Sequence, residues 1–357
     1  MTANPVPWVH IRERVLQVRG TMKAIPVSVV FLLCSSPVYS ADMHDRINFT
    51  GVVEVETSLV DPYEGSHESD LVVATLAAGW ETQISQNTLT VITLLYEQDK
   101  TDLEVDEAFL TVRRGQYRAT VGQIYVPFGF FESVLINDPL TLELAETREI
   151  TAMLGFEAGR ISGHVLLFNG DEDTDSEDAL GNWGFGFDFD QEGESRSHGF
   201  GLDFISNLAH SDNIRAAGFD LDDGAGGYSG HGYLSAGPLG FSVERIAVMD
   251  GFEAAALDFN DSGADPAVWH LEVTFGFRTM GQDVTAAIAY QKTEDALFLE
   301  LPETRLSLGL SSKLSAGFAL SLELYHDSDY AAGDIAGAVH ATGKDANGVV
   351  VQLAAEI

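Results

Sequence analysis

The stretch DANGVVVQLAAEI at residues 345–357 decides the fold of this chain. In an extended conformation its side chains alternate between two faces, because successive residues of a β-strand point to opposite sides. One face carries Val349, Val351, Leu353, Ala355 and Ile357. The other face carries Val350, Gln352, Ala354 and Glu356. An apolar face backed by a more polar one is typical of a strand that lies between lipid and a water-filled lumen.

The same alternation recurs along most of the chain, between turn-forming clusters of Gly, Asn, Asp and Pro. The clearest other example is 266–278, where Trp269, Leu271 and Val273 alternate with polar residues. The predicted strands are 46–58, 68–85, 88–98, 103–114, 116–126, 148–157, 160–170, 182–190, 195–206, 228–237, 239–248, 266–278, 282–293, 301–313, 316–327 and 345–357.

The connections between these strands alternate between short turns and longer loops, of which 127–147 is conspicuous. Barrels of bacterial outer membranes show this asymmetry, with short periplasmic turns, long outer loops and an even number of strands. The strands with the weakest pattern, 182–190 and 195–206, are included in the count with this even number of strands in view. The sequence therefore predicts an all-β protein: a transmembrane, antiparallel, up-and-down β-barrel of about sixteen strands, porin-like, in the bacterial outer membrane.

The alternative fold is a secreted β-sandwich or propeller, in which alternation marks one buried and one hydrated face of each sheet. Such folds more often show two cores and long Greek-key connections than a continuous series of hairpins. The sequence therefore favours the barrel.

Residues 1–40 predict a secretory signal peptide. Its apolar segment, 24–34, is shorter than the roughly 20 residues that a membrane-spanning helix needs, and small residues follow it. We expect translation to start at Met22, cleavage to occur before Ala41, and residues 41–357 to form the barrel.

The mature chain is strongly acidic, because residues 41–357 contain 15 Lys+Arg and 54 Asp+Glu. Phosphate backbones bind to basic surfaces, so nucleic acid is excluded as a partner. The chain has one cysteine, Cys34, which falls inside the predicted signal peptide. No disulfide framework is therefore expected.

Two long peptides carry a family resemblance: GQIYVPFG at 122–129 and NDPLTLELAETRE at 137–149. Together with ELPETR at 300–305, YHD at 325–327 and GKDA at 343–346, they resemble the signature of the LbtU-type siderophore porins of Gram-negative outer membranes. The resemblance runs from about residue 46 to the end of the sequence. It implies a sixteen-stranded, porin-like barrel that is associated with uptake of ferric siderophore.

The chain departs from the family pattern at both ends. The best-known member has an added periplasmic segment ahead of the barrel, whereas only residues 42–45 precede the first predicted strand here. Members also tend to end in Phe, which the barrel-assembly machinery reads, whereas this sequence ends in Ile357. Insertion into the membrane is therefore expected either to be less efficient or to tolerate an aliphatic residue.

The size of the predicted barrel indicates a mechanism. About sixteen strands enclose a water-filled channel, whereas about twenty-two are needed to surround a plug domain. We expect passive or facilitated diffusion of ferric siderophore; the alternative is a general porin for small polar nutrients or anions. Neither function requires a cofactor or a catalytic residue, so the chain is not expected to be an enzyme. Both a monomer and a homo-oligomer are compatible with the sequence.

The loop 127–147 is the best candidate for a segment that narrows the pore, since it lacks the Gly/Ser bias of a flexible loop. If it folds inward, its acidic residues face arginines across the lumen, and opposed charges discriminate between solutes. The acidic candidates are Asp138, Glu143 and Glu146. The basic candidates are Arg148, Arg113, Arg118 and Arg160. Alternatively, the acids cap turns and Arg148 pairs with Glu146.

An acidic run at 171–178 is a weak calcium candidate through Asp171, Asp173 and Asp175. It lacks the Gly and the terminal Glu of an EF-hand loop. A solvated outer loop, bridged by divalent cations to lipopolysaccharide phosphates, is the favoured interpretation. The aromatic residues Tyr125, Phe128, Phe130 and Phe131 are expected in a girdle at the membrane interface.

Overall fold

The computed structural model describes residues 46–169, 181–193, 195–217, 224–315 and 317–356. The predicted signal peptide with its start at Met22 and cleavage before Ala41, the calcium candidates Asp171, Asp173 and Asp175, and Ile357 lie outside these residues.

Sixteen antiparallel strands form one closed barrel, in which each strand pairs with its neighbours in sequence and the last pairs with the first. They are β1 (Ile47–Asp61), β2 (Glu68–Ser85), β3 (Thr88–Glu97), β4 (Thr101–Arg114), β5 (Tyr117–Tyr125), β6 (Arg148–Ala158), β7 (Ile161–Phe168), β8 (Asn182–Gln191), β9 (Arg196–Ile205), β10 (Gly227–Ala236), β11 (Leu239–Val248), β12 (Ala267–Thr279), β13 (Gln282–Glu294), β14 (Thr304–Ser315), β15 (Phe318–Ser328) and β16 (Asp345–Glu356). All sixteen predicted strands are confirmed, including the two weakest.

The alternation read from the sequence separates the outer from the inner surface. On β16, Leu353 is 45% exposed on the outward face, whereas Val350 on the inward face is buried. On β14, Leu306, Leu308 and Leu310 are exposed and point outward, while Ser307 between them is fully buried. The outward leucines and phenylalanines thus make an apolar belt around the barrel, as expected for contact with lipid.

Short turns gather at one end of the barrel, here called the turn end, and long connections gather at the other, the loop end. Several turns depend on glycine with positive φ, such as Gly115 at 64°, Gly237 at 59° and Gly281 at 83°. Tight hairpins need such backbone angles, which glycine adopts without steric cost.

The loop end contains the remaining regular structure. Two short α-helices are α1 (Leu140–Ala145) and α2 (Asp212–Ala216), and 3₁₀ turns span Leu208–His210 and Leu297–Leu299. Two small hairpins pair Asp258–Phe259 with Ser262–Gly263 and Ile335–Ala336 with Val339–His340. Within the described residues, no helix is both long enough and apolar enough to span a membrane.

The inner surface is less uniformly polar than the alternation predicted. Leu89, Val91, Phe109 and Ile124 point inward from β3, β4 and β5 and are buried. They belong to one apolar cluster with residues of the long loops. The main hydrophobic core therefore lies inside the barrel towards the loop end, where wall and loops pack together.

Candidate functional site

The connection between β5 and β6, residues 126–147 (the inner loop), turns into the barrel instead of away from it. Its base is closed by the Val126 N–H, which donates to the Thr147 carbonyl at 2.8 Å. From there the backbone reaches side chains on β9, β11, β12, β13 and β15. In a sixteen-strand ring, β13 is diametrically opposite β5, from which the loop starts, and the loop reaches Gln291 of β13, so it crosses the lumen to the far wall.

Carboxylates on the inward face of that wall accept hydrogen bonds from the loop backbone. The Gly129 N–H donates to Asp203 of β9 at 3.3 Å. The N–H groups of Phe130 and Phe131 both donate to Glu244 of β11, the latter at 3.1 Å. Buried backbone N–H groups require acceptors, and a carboxylate is a strong one.

The same pattern continues along the next strands. Glu272 of β12 accepts from the Ser133 hydroxyl at 2.7 Å and from the Val134 N–H at 3.2 Å. Glu323 of β15 accepts the N–H groups of two consecutive loop residues, 136 and 137, both at 2.8 Å. We call Asp203, Glu244, Glu272 and Glu323 the wall carboxylates; all four are buried.

Helix α1 completes the return path of the inner loop. The Leu140 N–H at its start donates to the Gln291 side chain of β13 at 2.6 Å, and the Thr141 hydroxyl donates to Glu244 at 2.8 Å. Leu140 and Leu144 are buried in the main core beside Phe128. The helix therefore presents an apolar side to the core and polar groups to the wall.

A single glycine makes room for the loop against the far wall. A Cβ built on Gly309 of β14 would lie 2.5 Å from Cδ2 of Leu135. Leu135 is buried together with Ala287 and Ala289 of β13. Small inward residues on β13 and β14 thus form the recess that receives the loop.

A second loop, between β9 and β10, packs over the inner loop. Asn213 of α2 donates through Nδ2 to the Glu143 carbonyl at 2.9 Å and to its Oε2 at 2.7 Å. The Asp212 N–H donates to the Glu146 carbonyl at 2.8 Å, and Arg215 pairs with Glu149 at 2.7 Å. Burial, followed by the nearby charge of Asp138, raises the pKa of Glu143 above its ordinary value.

The predicted acids are thus placed on the inner loop in different environments. Glu143 and Glu146 contact the β9–β10 loop. Asp138 follows Asn137, whose backbone is bound to Glu323, and it is partly exposed. Asp138 is close enough to Glu56 of β1 for their charges to interact.

Arg113 and Arg118 are brought together on the opposite wall. They are direct register partners on β4 and β5, on the same inward face as the hydrogen-bonded pair Thr111 and Thr120. Arg118 also approaches Glu157 at 3.5 Å. These two arginines form an inward basic patch.

The other two predicted arginines do not join this patch, which corrects the prediction for them. Arg148 shares the outward face of β6 with Ile150, which is 54% exposed, and it pairs with Glu104 and, at 3.1 Å, with Asp106. Arg160 is exposed in the turn between β6 and β7, at the turn end of the barrel. Strand direction places that turn at the end opposite to the inner loop.

The girdle predicted for the aromatics is also wrong for the three that lie on the inner loop. Phe128 is buried in the core inside the barrel. Phe130 stacks on His231 of β10, with ring centroids 4.4 Å apart, and lies near Tyr233 at 5.8 Å. Phe131 packs against the same core. The three rings belong to the interior because the loop that carries them folds inward.

The residues that sequence reasoning missed are the wall carboxylates, together with His231 and Tyr233, on which Phe130 stacks. The sequence feature that could have identified the wall carboxylates is an acidic residue at a position that alternation assigns to the inner face. An example is Glu272 between Leu271 and Val273. Among the residues that the structure describes, no group of three His, Cys, Asp or Glu side chains has a metal-binding arrangement.

Comparisons with known proteins give sequence relatives and structural neighbours, while no family model matches the chain. A UPF0422 protein of Coxiella burnetii is 27% identical over 303 residues, which cover 80% of this chain and 65% of that protein. A UPF0422 protein of Legionella pneumophila (strain Paris) is 25% identical over 231 residues, or 59% of this chain and 43% of that one. The chain thus spans less than two thirds of these relatives.

Solved structures with the same fold are outer-membrane proteins. The anion-selective porin from Comamonas acidovorans superposes with a TM-score of 0.60 at 12% identity, covering 87% of this chain and 99% of the porin. OprB of Pseudomonas putida has a TM-score of 0.60 at 7% identity, covering 88% and 94%. The trimer form of Vibrio cholerae OmpT has a TM-score of 0.54 at 12% identity, covering 87% of this chain and 99% of OmpT. The chain therefore has the sixteen-strand porin fold and belongs in the bacterial outer membrane.

Proposed function

We propose that the protein is a passive channel for small polar solutes, in which the inner loop forms the constriction. The observation that carries this proposal is the set of hydrogen bonds between the loop backbone and the wall carboxylates. A loop held at so many points inside the barrel is a fixed element of the lumen. We propose that the remaining passage runs past Arg113 and Arg118, which lie closer to the turn end than the main hydrophobic core.

Charge is distributed unequally across this passage. The basic patch of Arg113 and Arg118 lies on β4 and β5, and the partly exposed acids Glu132 and Asp138 lie on the loop that crosses from the opposite wall. Opposed charges in a narrow aqueous space create a transverse field, which orients polar solutes. We propose that this field, together with the width left by the loop, selects the solutes.

The balance of inward charge favours neutral and cationic solutes over anions. Glu54, Glu81, Asp188 and Asp190 sit at inward positions of β1, β2 and β8, while the basic patch contributes two charges. An acidic lumen raises the local concentration of cations and repels anions. The general porin is therefore the function that the geometry supports best.

The second candidate is a channel for ferric siderophore. It is favoured by one observation: the two most specific peptides of the family resemblance, 122–129 and 137–149, make up the base and most of the inner loop. In this proposal the loop contributes the solute contacts.

Conductance of the purified barrel in a planar bilayer distinguishes the two candidates. For a general porin we expect ohmic conductance, cation preference in a KCl gradient, and no effect of ferric siderophore. Saturable block by ferric siderophore at micromolar concentration, absent with the iron-free compound, would establish the second candidate. A protein that does not insert or conduct contradicts both.

Assembly is a further part of the proposal. We propose that the barrel-assembly machinery inserts the chain, since a closed sheet of sixteen strands requires every edge to be paired. A homo-oligomer is proposed by likeness to the trimer form of Vibrio cholerae OmpT.

A further inference from the structure

Two cations stand on the outward face of the barrel near the loop end. Arg245 of β11 is the register partner of Trp269 of β12, which is in turn the partner of Lys292 of β13. They share the outward face with exposed apolar residues such as Val273 and Phe275. We call Arg245, Trp269 and Lys292 the outward row.

Neutral aromatic groups hold Arg245 in place. Its Nη1 donates to the Tyr228 hydroxyl of β10 at 2.7 Å, and its guanidinium carbon lies 5.2 Å from the Trp269 ring centroid and 5.6 Å from that of Tyr228. Aromatic faces attract a cation but do not neutralise it. None of the ion pairs within the described part of the chain includes Arg245, and its buried Nε–H has no partner there.

Lys292 lies two strand spacings from Arg245, which places their Cα atoms about 10 Å apart. Its Nζ is 3.3 Å from Glu294 Oε1, and both side chains are well exposed. An exposed pair of this kind is weak and readily exchanged. Lys292 is therefore available to a stronger anion, with Glu294 as the acidic neighbour that such an anion must displace.

The position of the row along the strands matters as much as its charge. Arg245 is three residues from the loop end of β11, Trp269 is the third residue of β12, and Lys292 is two residues from the end of β13. The outward positions beyond the row on these strands are Ala247, Ala267 and Glu294, so the large apolar side chains of the belt do not continue past it there. Trp and Tyr concentrate at such a level, and charged side chains on the lipid face are tolerated there.

We propose that the outward row binds an anionic lipid whose headgroup carries two separate phosphates. Two cations about 10 Å apart match two phosphates better than one, and the planar guanidinium fork suits phosphate oxygens. Trp269 packs between them against the body of the lipid. Outer-membrane barrels carry their long loops on the extracellular side, so we expect the ligand to be a phosphorylated lipid of the outer leaflet.

The test measures binding of bisphosphorylated lipid A to the mature barrel in detergent micelles, by native mass spectrometry or by titration of a fluorescent lipid A. The double variant Arg245→Ala, Lys292→Ala is expected to bind about tenfold more weakly, the scale of one lost charge-assisted hydrogen bond. The matched control is Arg114→Ala. Arg114 is also an exposed, outward cation beside a tyrosine, Tyr117, but at the turn end, and its loss is expected to leave binding unchanged.

Folding of each variant is checked by heat-modifiable gel migration. The wild-type protein supplies a test that needs no variant: dephosphorylated lipid A should bind about tenfold more weakly than the bisphosphorylated form. Equal binding of the two lipids, or wild-type affinity in the double variant, overturns the proposal. Inorganic phosphate that binds the row as tightly as the lipid does would assign the site to free phosphate and also overturn it. Channel conductance does not enter either readout.

Discussion

At the scale of single residues, the wall carboxylates hold the inner loop in place by accepting hydrogen bonds from its backbone. Glu323 is fully buried, and one of its oxygens accepts two consecutive backbone N–H groups of the inner loop. A buried N–H that loses its acceptor costs about 1–3 kcal/mol. The carboxylate therefore fixes where the loop touches the far wall.

Replacement of Glu323 tests this role. In Glu323→Ala the loop loses both bonds, so we expect it to detach locally and the single-channel conductance in a planar bilayer to rise. Ser321→Ala is the control, because Ser321 is also inward on β15 but bonds to Ser311 and not to the loop. A Glu323→Ala channel with wild-type conductance would show that the other wall carboxylates hold the loop without it.

Gly309 permits a complementary experiment, since a side chain there must push against Leu135. Gly309→Val is expected to displace the loop towards the lumen and to lower conductance, with a loss of about 1–3 kcal/mol of stability from overpacking. Gly276→Val is the control, because the nearest atom to its Cβ position is a carbonyl oxygen 3.8 Å away. Equal conductance in the two variants would contradict the packing argument.

At the scale of elements, α1 and α2 make docking of the inner loop dependent on pH. Burial raises the pKa of Glu143, so between its ordinary and its raised pKa the docked loop keeps a proton that an undocked loop has released. Docking is then strongest below this window and weakens as pH rises through it. We expect wild-type conductance to increase over that range.

Glu143→Gln separates this effect from the titration of other carboxylates. The amide stays neutral, so the variant should lack the part of the pH dependence that Glu143 supplies, while the rest of the profile remains. The comparison is a conductance titration of both proteins under the same salt. Superimposable profiles would mean that Glu143 does not control docking.

The sequence predicted the elements of the barrel much better than the contacts of the loop. A strand such as 266–278 is identified by local alternation, and alternation also assigns Glu272 to the inner face. It does not say that Glu272 meets Ser133, because the two are 139 residues apart in sequence. For Arg148, alternation with Ile150 along β6 already indicated the outward face, whereas its ion pairs with Glu104 and Asp106 of β4 depend on tertiary structure.

At the scale of the whole molecule, the two opposite walls of the barrel have different roles. One wall holds the inner loop, and the other presents Arg113 and Arg118 to the passage. Together they determine which ions pass, because the potential in a narrow lumen reflects the sum of its charges.

Removal of the basic patch should therefore increase cation selectivity. In Arg113→Ala, Arg118→Ala we expect the reversal potential in a KCl gradient to move towards the potassium equilibrium potential, since the lumen potential changes by about one to several kT. Arg114→Ala, which removes an outward cation, is expected to keep the wild-type value. A shift of the same size in both variants would place the effect outside the lumen.

The pairing of β1 with β16 joins segments that are almost 300 residues apart, as in the partnership of Thr57 and Val351. Every other strand pair joins strands that follow one another in sequence, whereas this pair forms only after β16 has been made. Until then the edges of two strands remain unpaired and exposed. Pairings between strands so far apart in sequence form slowly. Newly exported chains should therefore depend on chaperones for longer than their simple hairpin order suggests.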